Sequence, residues 1–539
     1  MEREFNLIDE PWICVRMPDC SVQEVGLREL FANAHHIMDL AGETKTQDFA
    51  ILRLLLAVVH TVFSRYGTNA EDITPSEDPD LLIDQWEEIW KQGQFPMAPI
   101  ERYLSEWHDR FWLFDEAYPF YQSRAVEGKS KLVSTAKMIG TLFESNNKQR
   151  LFSERFMQGR ELTFSEAARW LLHLNCFDDI AAKKPTPKKT WVGKLGLVAL
   201  KGKNLFQTLM LNYVADQDIR HDVFQSTPSW EEKEPSVQFN HLIPVPHNQA
   251  ALLSLQSRRI LLCRDSDKVT GYYLSGGDYF EDEELFDIET MTLWRGYREK
   301  KEDLYQFKPR RYDPAKMIWR EFGSIAVENE TNSPSSKQAG VIGWLNRLSE
   351  YEILSDQSFI RIETAAVIYD FKQATSLPVI DTISDTLTFH ARLLEEIGAD
   401  WRMLVMKEIE KCENAANQVF YLYKNLQKAS GRRDKDLKTE LSGEKNARAE
   451  FYARIDRPFR LWLAGLDPTT QDPETTAAEL EQSLCSIALH FGNELTAQAG
   501  NATVFGRYEN GEAISSAQAI NTYCYQIKQK IFTRAGEKT

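Results

Sequence analysis

Seven lysines and no acid lie between Ala181 and Ala215: Lys183, Lys184, Lys188, Lys189, Lys194, Lys201 and Lys203. The whole chain carries a formal net charge of −16, so this stretch is a local inversion of sign. Clustered ammonium groups neutralise phosphates without reading sequence. The stretch therefore reads either as a solvated basic face or as a phosphate-contact surface. A second cluster, Arg295, Arg298, Lys308, Arg310, Arg311 and Arg320, is interleaved with Trp294, Tyr297, Tyr305, Tyr312 and Trp319. Guanidinium groups beside aromatic faces grip phosphates and stack on bases, and they equally well pack a core rim.

Motifs for other chemistry are missing. No GxxxxGK[ST] supplies a phosphate cradle, and the glycines of GKLGLVALKGKN lack the dinucleotide spacing. The ten histidines include no HExxH. His35 and His36 are neighbours, and adjacent residues do not share a helix face. His241 and His247 flank a proline-containing loop and are weak metal candidates. The acids from Glu281 to Glu284 read as a solvated face. No GxSxG nucleophile elbow occurs. The seven cysteines, Cys14, Cys20, Cys176, Cys263, Cys412, Cys485 and Cys524, form no CxxC pair. Their odd number and wide scatter argue for buried or idle thiols rather than a disulfide framework or zinc ribbon. The sequence thus points to binding, with no cofactor, no metal and no catalysis by this chain. A divergent metal-dependent nuclease and a purely structural assembly subunit are the competing readings.

The elements that must position these residues fall into two groups. Up to about residue 380, helix and strand signals mix. Helical periodicity marks Phe49 to Val62 and Phe164 to Leu174, and Thr163 with Glu166 forms a capping box for the second. RRILLC and VTGYYL are β-prone runs joined by the polar loop Arg264 to Lys268, an expected hairpin. Phe359 to Ile368 is a third strand candidate. Beyond residue 385 the pattern is helical. Leu394, Ile397, Trp401, Leu404, Ile409, Cys412, Ala416, Val419, Tyr423 and Leu426 make one long stripe. The segment Ala447 to Leu463 supplies a second helix. Asp472 and Pro473 then read as cap and first helical position. Two further stripes follow, Leu480, Leu484, Ile487, Phe491 and Leu495, then Ala517, Ile520, Cys524, Ile527 and Ile531. Four such stripes bury one another in a four-helix bundle. The predicted class is α+β: a large mixed α/β domain over 1–380, then a four-helix bundle over 385–539.

With 539 residues, 42% apolar and 27% charged, the chain has the composition of a soluble globular protein of several domains. The opening MEREFNLIDEPW has no basic segment followed by an apolar run. The longest apolar stretch, Leu54 to Val59, is too short to cross a bilayer. The expectation is a cytoplasmic protein with no membrane partner.

Several segments, taken in order, carry a resemblance. They are FNLIDEPWICVR at the start, DRFWLFDEAYPFYQ from Asp109, SNNKQRLF from Ser145 and ELTFSEAARWLLHL from Glu161. KGKNLFQTLMLN from Lys201, LQSRRILL from Leu255 and MTLWRGYREKKEDLYQFKPRRYDPAKMIW from Met291 follow. Together they resemble the CasA family, the large subunit of the type I-E CRISPR Cascade complex, over nearly the whole chain. The resemblance implies a mixed α/β domain with a four-helix bundle behind it. It also implies a role in which a guide RNA reads sequence by pairing. The subunit reads the short motif flanking the target in double-stranded DNA, helps open the duplex, and supports recruitment of a helicase-nuclease in trans. Its partners would be other Cascade subunits, the guide RNA and the target duplex.

The same resemblance assigns residues. A loop touching the guide 5′ end or the flanking DNA matches Ser145 to Phe152, with Ser145, Asn146, Asn147, Lys148 and Phe152 as candidates. A lysine finger for the minor groove matches Lys268, and a glutamine wedge for the first opened pair matches Gln373, flanked by Lys372 and Ala374. The chain departs from the family at one place. Where the family has a glycine-rich loop after the FSEAARWLL helix, this sequence reads CFDDIAAKKPTPKK. Ala181 and Ala182, or Lys183 and Lys184, stand in for the glycines, so the flanking motif read here is left open.

Overall fold

The structure, a computed structural model, describes residues 3–74, 80–139, 160–178, 180–181, 190–215, 226–233, 236–281, 285, 288–298, 305–326, 336–351, 353, 359–369, 376–377, 379–432, 441–509 and 512–533. The fold is α+β and divides into two compact units. One comprises 1–312, 328–354 and 361–386; the other comprises 313–327, 355–360 and 387–539.

The first unit is built around the helix Lys45–Phe63, started by Thr44, whose side chain accepts from the Gln47 amide at 3.1 Å. This helix is long and apolar enough to span a membrane, but it is buried within the fold. A helix buried on nearly every side belongs at the centre of a large core. It packs against Phe164–Phe177 and the short helix Gln249–Leu253. At the start of Phe164–Phe177 the capping box closes as read from the sequence. Thr163 N–H donates to Glu166 at 2.9 Å, and Glu166 N–H donates to Thr163 Oγ1 at 3.1 Å.

The strands form small sheets of two or three members. Leu197–Lys201 pairs antiparallel with the strand Phe359–Tyr369, from Arg361 opposite Lys201 to Ala365 opposite Leu197. Inside the core, Arg53 forks onto Glu289 with contacts of 2.9 and 3.0 Å, both side chains 1% exposed. The Trp191 indole also donates to Glu289, at 2.8 Å.

The second unit contains the four-helix bundle: Ala399–Ala429, Leu441–Ala464, Pro473–Gln498 and Ser516–Gln526. Asp472 caps the third helix by accepting from Thr475 N–H at 2.8 Å, with Pro473 at its first position. Two details differ from the sequence pattern. The first helix begins at Ala399, whereas Leu394 and Ile397 lie in tight turns before it. Gly398 sits so close to the Arg392 carbonyl that a Cβ would meet it at 2.3 Å, so the tight turns before the helix require glycine there. In the fourth helix the buried side runs through Ala519, Tyr523, Ile527 and Ile531 rather than Ala517, Ile520 and Cys524. Tyr523 decides the rotation: its hydroxyl donates to the Ala488 carbonyl at 2.8 Å and its ring lies over Gly492.

Candidate nucleic-acid interface

Three features of the first unit bear on the basic and polar residues singled out above. The first is the hairpin Arg258–Asp265 with Lys268–Gly276. Its strands are longer than expected, and only Ser266 and Asp267 form the turn. Lys268 is therefore the first residue of the second strand, directly opposite Asp265, rather than part of a loop. The turn carries Ser266 at φ 53°, a left-handed conformation that lacks the usual Asn-Gly signature, which is why the sequence suggested a longer loop. Val269 is buried and Lys268, its neighbour, lies on the opposite side by strand alternation. Lys268 is half-buried as a residue, and its ammonium has no hydrogen-bond or ion-pair partner among the described residues. The hairpin itself is well anchored: Arg264 pairs with Glu4 and lies 4.8 Å from the Phe114 ring centroid. Arg258, 3% exposed, donates to Asp178 at 2.7 Å.

The second feature is a two-stranded ladder that sequence reasoning did not find. Ile180–Ala181 pairs antiparallel with Ser376–Leu377, Ala181 opposite Ser376. Helix Phe164–Phe177 leads into this ladder, and Tyr369 donates to the Phe177 carbonyl at 3.2 Å. Thr190 likewise donates to the Cys176 carbonyl. The chain thus leaves the ladder at Ala181, before Lys183 and Lys184, and re-enters it at Ser376, three residues after Gln373. Ala182, Lys183 and Lys184 themselves lie outside the described residues, as do Lys372, Gln373, Ala374 and the segment containing Ser145, Asn146, Asn147, Lys148 and Phe152. No local signal in IAAKK or TSLP announces the pairing, because strands two residues long have no readable period.

The third feature is the sheet of Trp294–Arg298, Tyr305–Pro309 and Ser336–Lys337. Trp294 points into the core at 1% exposure, and Arg295 faces solvent. Arg295 stands directly opposite Lys308, which is also exposed. Lys308 lies 4.2 Å from the centroid of the Tyr297 ring. Arg311, just past the strand, donates to the Lys194 carbonyl at 3.4 Å. Its pKa is pulled below the usual guanidinium value by partial burial and by the charge of Arg295, against the opposing effect of Tyr369.

Other members of the two basic clusters have structural work. Lys201 is 7% exposed and is held by Asp39 and by Glu363 at 3.5 Å. Arg320 pairs with Glu413 at 3.0 Å and lies 3.9 Å from the Tyr452 ring centroid; Trp319 donates to Asp456 at 2.8 Å and stacks on Phe459. These two belong to the second unit and pack its core rim. His241 faces Asp278 at 3.2 Å. Among the described residues no group of three or more His, Cys, Asp or Glu could hold a metal ion. All seven cysteines are free thiols, and burial pushes the Cys176 thiol up to about 12, away from nucleophilic use at neutral pH.

Residues 6–491 match the family described as CRISPR-associated protein Cse1. The chain belongs to the Cse1 family. A relative from Thermus thermophilus, described as CRISPR-associated protein CasA/Cse1, is 32% identical over 220 residues; that stretch is 39% of this chain and 40% of the relative. The chain therefore spans less than half the length of the curated relative it matches. The crystal structure of Thermobifida fusca Cse1 superposes with a TM-score of 0.83 at 27% identity, covering 99% of both chains. A chain of a structure titled CRISPR RNA-guided surveillance complex has the same fold, with a TM-score of 0.68 at 15% identity over 98% of this chain and 100% of that one. Among the described residues of this Cse1-family fold, the Lys268 hairpin carries a lysine without an ion-pair partner and the Arg295–Lys308 sheet carries directly opposed like charges.

Proposed function

We propose that the chain is the large, non-catalytic subunit of a cytoplasmic type I-E RNA-guided surveillance complex, acting on double-stranded DNA. In this reading the guide RNA supplies sequence by base pairing. The subunit reads the motif flanking the target, assists duplex opening and supports recruitment of a helicase-nuclease. The observation that carries it is the match to the Cse1 family over residues 6–491. The free ammonium of Lys268 on an anchored hairpin supports it.

A lysine at such a tip can reach base acceptors in a minor groove, where discrimination between base pairs is weak. One subunit would then tolerate several flanking motifs. Gln373, with Lys372 and Ala374 beside it, would replace lost stacking at the first opened pair, a step that costs a few kcal/mol. Ala181 and Ala182, with Lys183 and Lys184, would approach the flank where the family has glycines. Ser145, Asn146, Asn147, Lys148 and Phe152 would contact the guide 5′ end or the flanking DNA through sugar and phosphate.

The test is a gel-shift assay of the complex with and without this subunit, against duplexes carrying a library of flanking sequences. Binding should require the subunit and depend on the flank. Equal binding without it would reduce the chain to a scaffold. Cleavage of DNA by the lone chain with a divalent metal would instead make it a nuclease.

A further inference from the structure

We propose that Arg295 and Lys308 form a grip for a phosphodiester backbone. The proposal deepens the reading above and rests on it. Arg295 and Lys308 are directly opposed on neighbouring antiparallel strands, which brings their Cα atoms to about 4.5–5.5 Å. Like charges in that relation destabilise a sheet, and neither residue forms a salt bridge among the described residues. The Tyr297 ring under Lys308 holds the ammonium in place without neutralising it. The opposite side of the same sheet is different: Trp294 is buried, and Lys337 lies over Phe307 at 4.7 Å. The repulsion is thus confined to one solvent-facing side, on strands that fix its geometry. A polyanion relieves the repulsion, and phosphodiesters match a guanidinium fork beside a point-charge ammonium.

The experiment uses the assembled complex carrying Arg295→Ala with Lys308→Ala, beside wild type and Lys337→Ala. Target-duplex affinity is measured from about 50 to 200 mM salt. Each lost phosphate contact lowers the salt slope by about 0.9, so the double variant should lose about two units of slope and bind about ten-fold or more weakly at low salt. Lys337→Ala should match wild type. Guide occupancy, read from labelled RNA co-eluting with the complex, identifies the source of the phosphates: loss of guide assigns the grip to RNA, and retained guide with weakened duplex binding assigns it to DNA. Thermal melting separates grip from scaffold, since removing like charges should leave the subunit's Tm unchanged or higher. An unchanged slope with full guide occupancy overturns the proposal, as does loss of the subunit from the complex, which would make the patch a protein contact. If the wild-type complex binds duplex equally with and without this subunit, the broader reading fails instead.

Discussion

Arg53 and Glu289 are a bidentate ion pair placed where water cannot reach either group, both 1% exposed. Glu289 also accepts from the Trp191 indole and from the Met291 amide at 3.1 Å. Glu289→Gln keeps the volume but leaves the guanidinium charge buried and uncompensated. It should cost about 3–5 kcal/mol, read as a lower midpoint in urea. His173 gives a pH signature. Burial lowers its pKa to about 3, with Glu43 opposing weakly, and Nε2 sits 3.1 Å from Thr46 Oγ1. The unfolded histidine binds its proton near pH 6.5, so below that pH the unfolded state holds more protons than the folded one. Its stabilisation is therefore complete above about pH 6.5 and is lost as pH falls toward about 3. Asp48 works in the opposite direction: burial raises its pKa to about 6, so it loses stability as pH rises from about 4 to 6. His173→Gln should abolish the histidine part of the acid sensitivity. In Tm measured against pH, wild type should fall relative to the variant below pH 6.5; parallel curves would refute the assignment.

At the scale of elements, Gly492 explains how the bundle's last helix is oriented. Glycine within a helix costs about 1 kcal/mol relative to alanine, yet here a Cβ would lie 2.4 Å from the Tyr523 ring. Gly492→Ala should therefore destabilise the protein by about 1–3 kcal/mol through overpacking, despite its better helix propensity. Gly492→Ala combined with Tyr523→Leu should recover part of that loss; a stabilised single variant would show that the ring moves freely. The same contact shows what the sequence could and could not reveal. The four helices were legible because apolar residues recur over many turns, and the Asp472–Pro473 start and the Thr163–Glu166 box because their capping chemistry is local. The rotation of the last helix was not, since it depends on a glycine two dozen residues away in sequence. The hairpin was visible as two apolar runs, but its Ser266–Asp267 turn gave no glycine to set the boundary. The Ala181–Ser376 ladder joins segments nearly 200 residues apart, and strands of two residues leave no pattern to read. The basic clusters were visible as charge, yet only packing separates Arg295 and Lys308 from Lys201 and Arg320, which are paired.

For the molecule as a whole, a net charge of −16 opposes general attachment to nucleic acid, so contacts must be few, local and held in place. This makes single-residue tests decisive. Lys268 lies on an anchored strand and its ammonium has no protein partner among the described residues, so Lys268→Ala should change stability by less than about 0.5 kcal/mol. In the complex it should weaken recognition of the correct flanking motif by about 1–3 kcal/mol, the usual worth of one base-pair contact. The proposed task of Gln373 begins only when the duplex opens. Gln373→Ala should mainly slow opening, and a target with mismatches beside the motif should restore the rate, because its first pair is already open. The same bubbled target should rescue Lys268→Ala less fully, since that contact is made to the flank while it is still paired. Opening kinetics on matched and bubbled duplexes separate the two tasks. If both variants open both targets at wild-type rates, neither side chain belongs to the interface; if the bubble rescues both equally, the lysine acts in opening rather than in reading the flank.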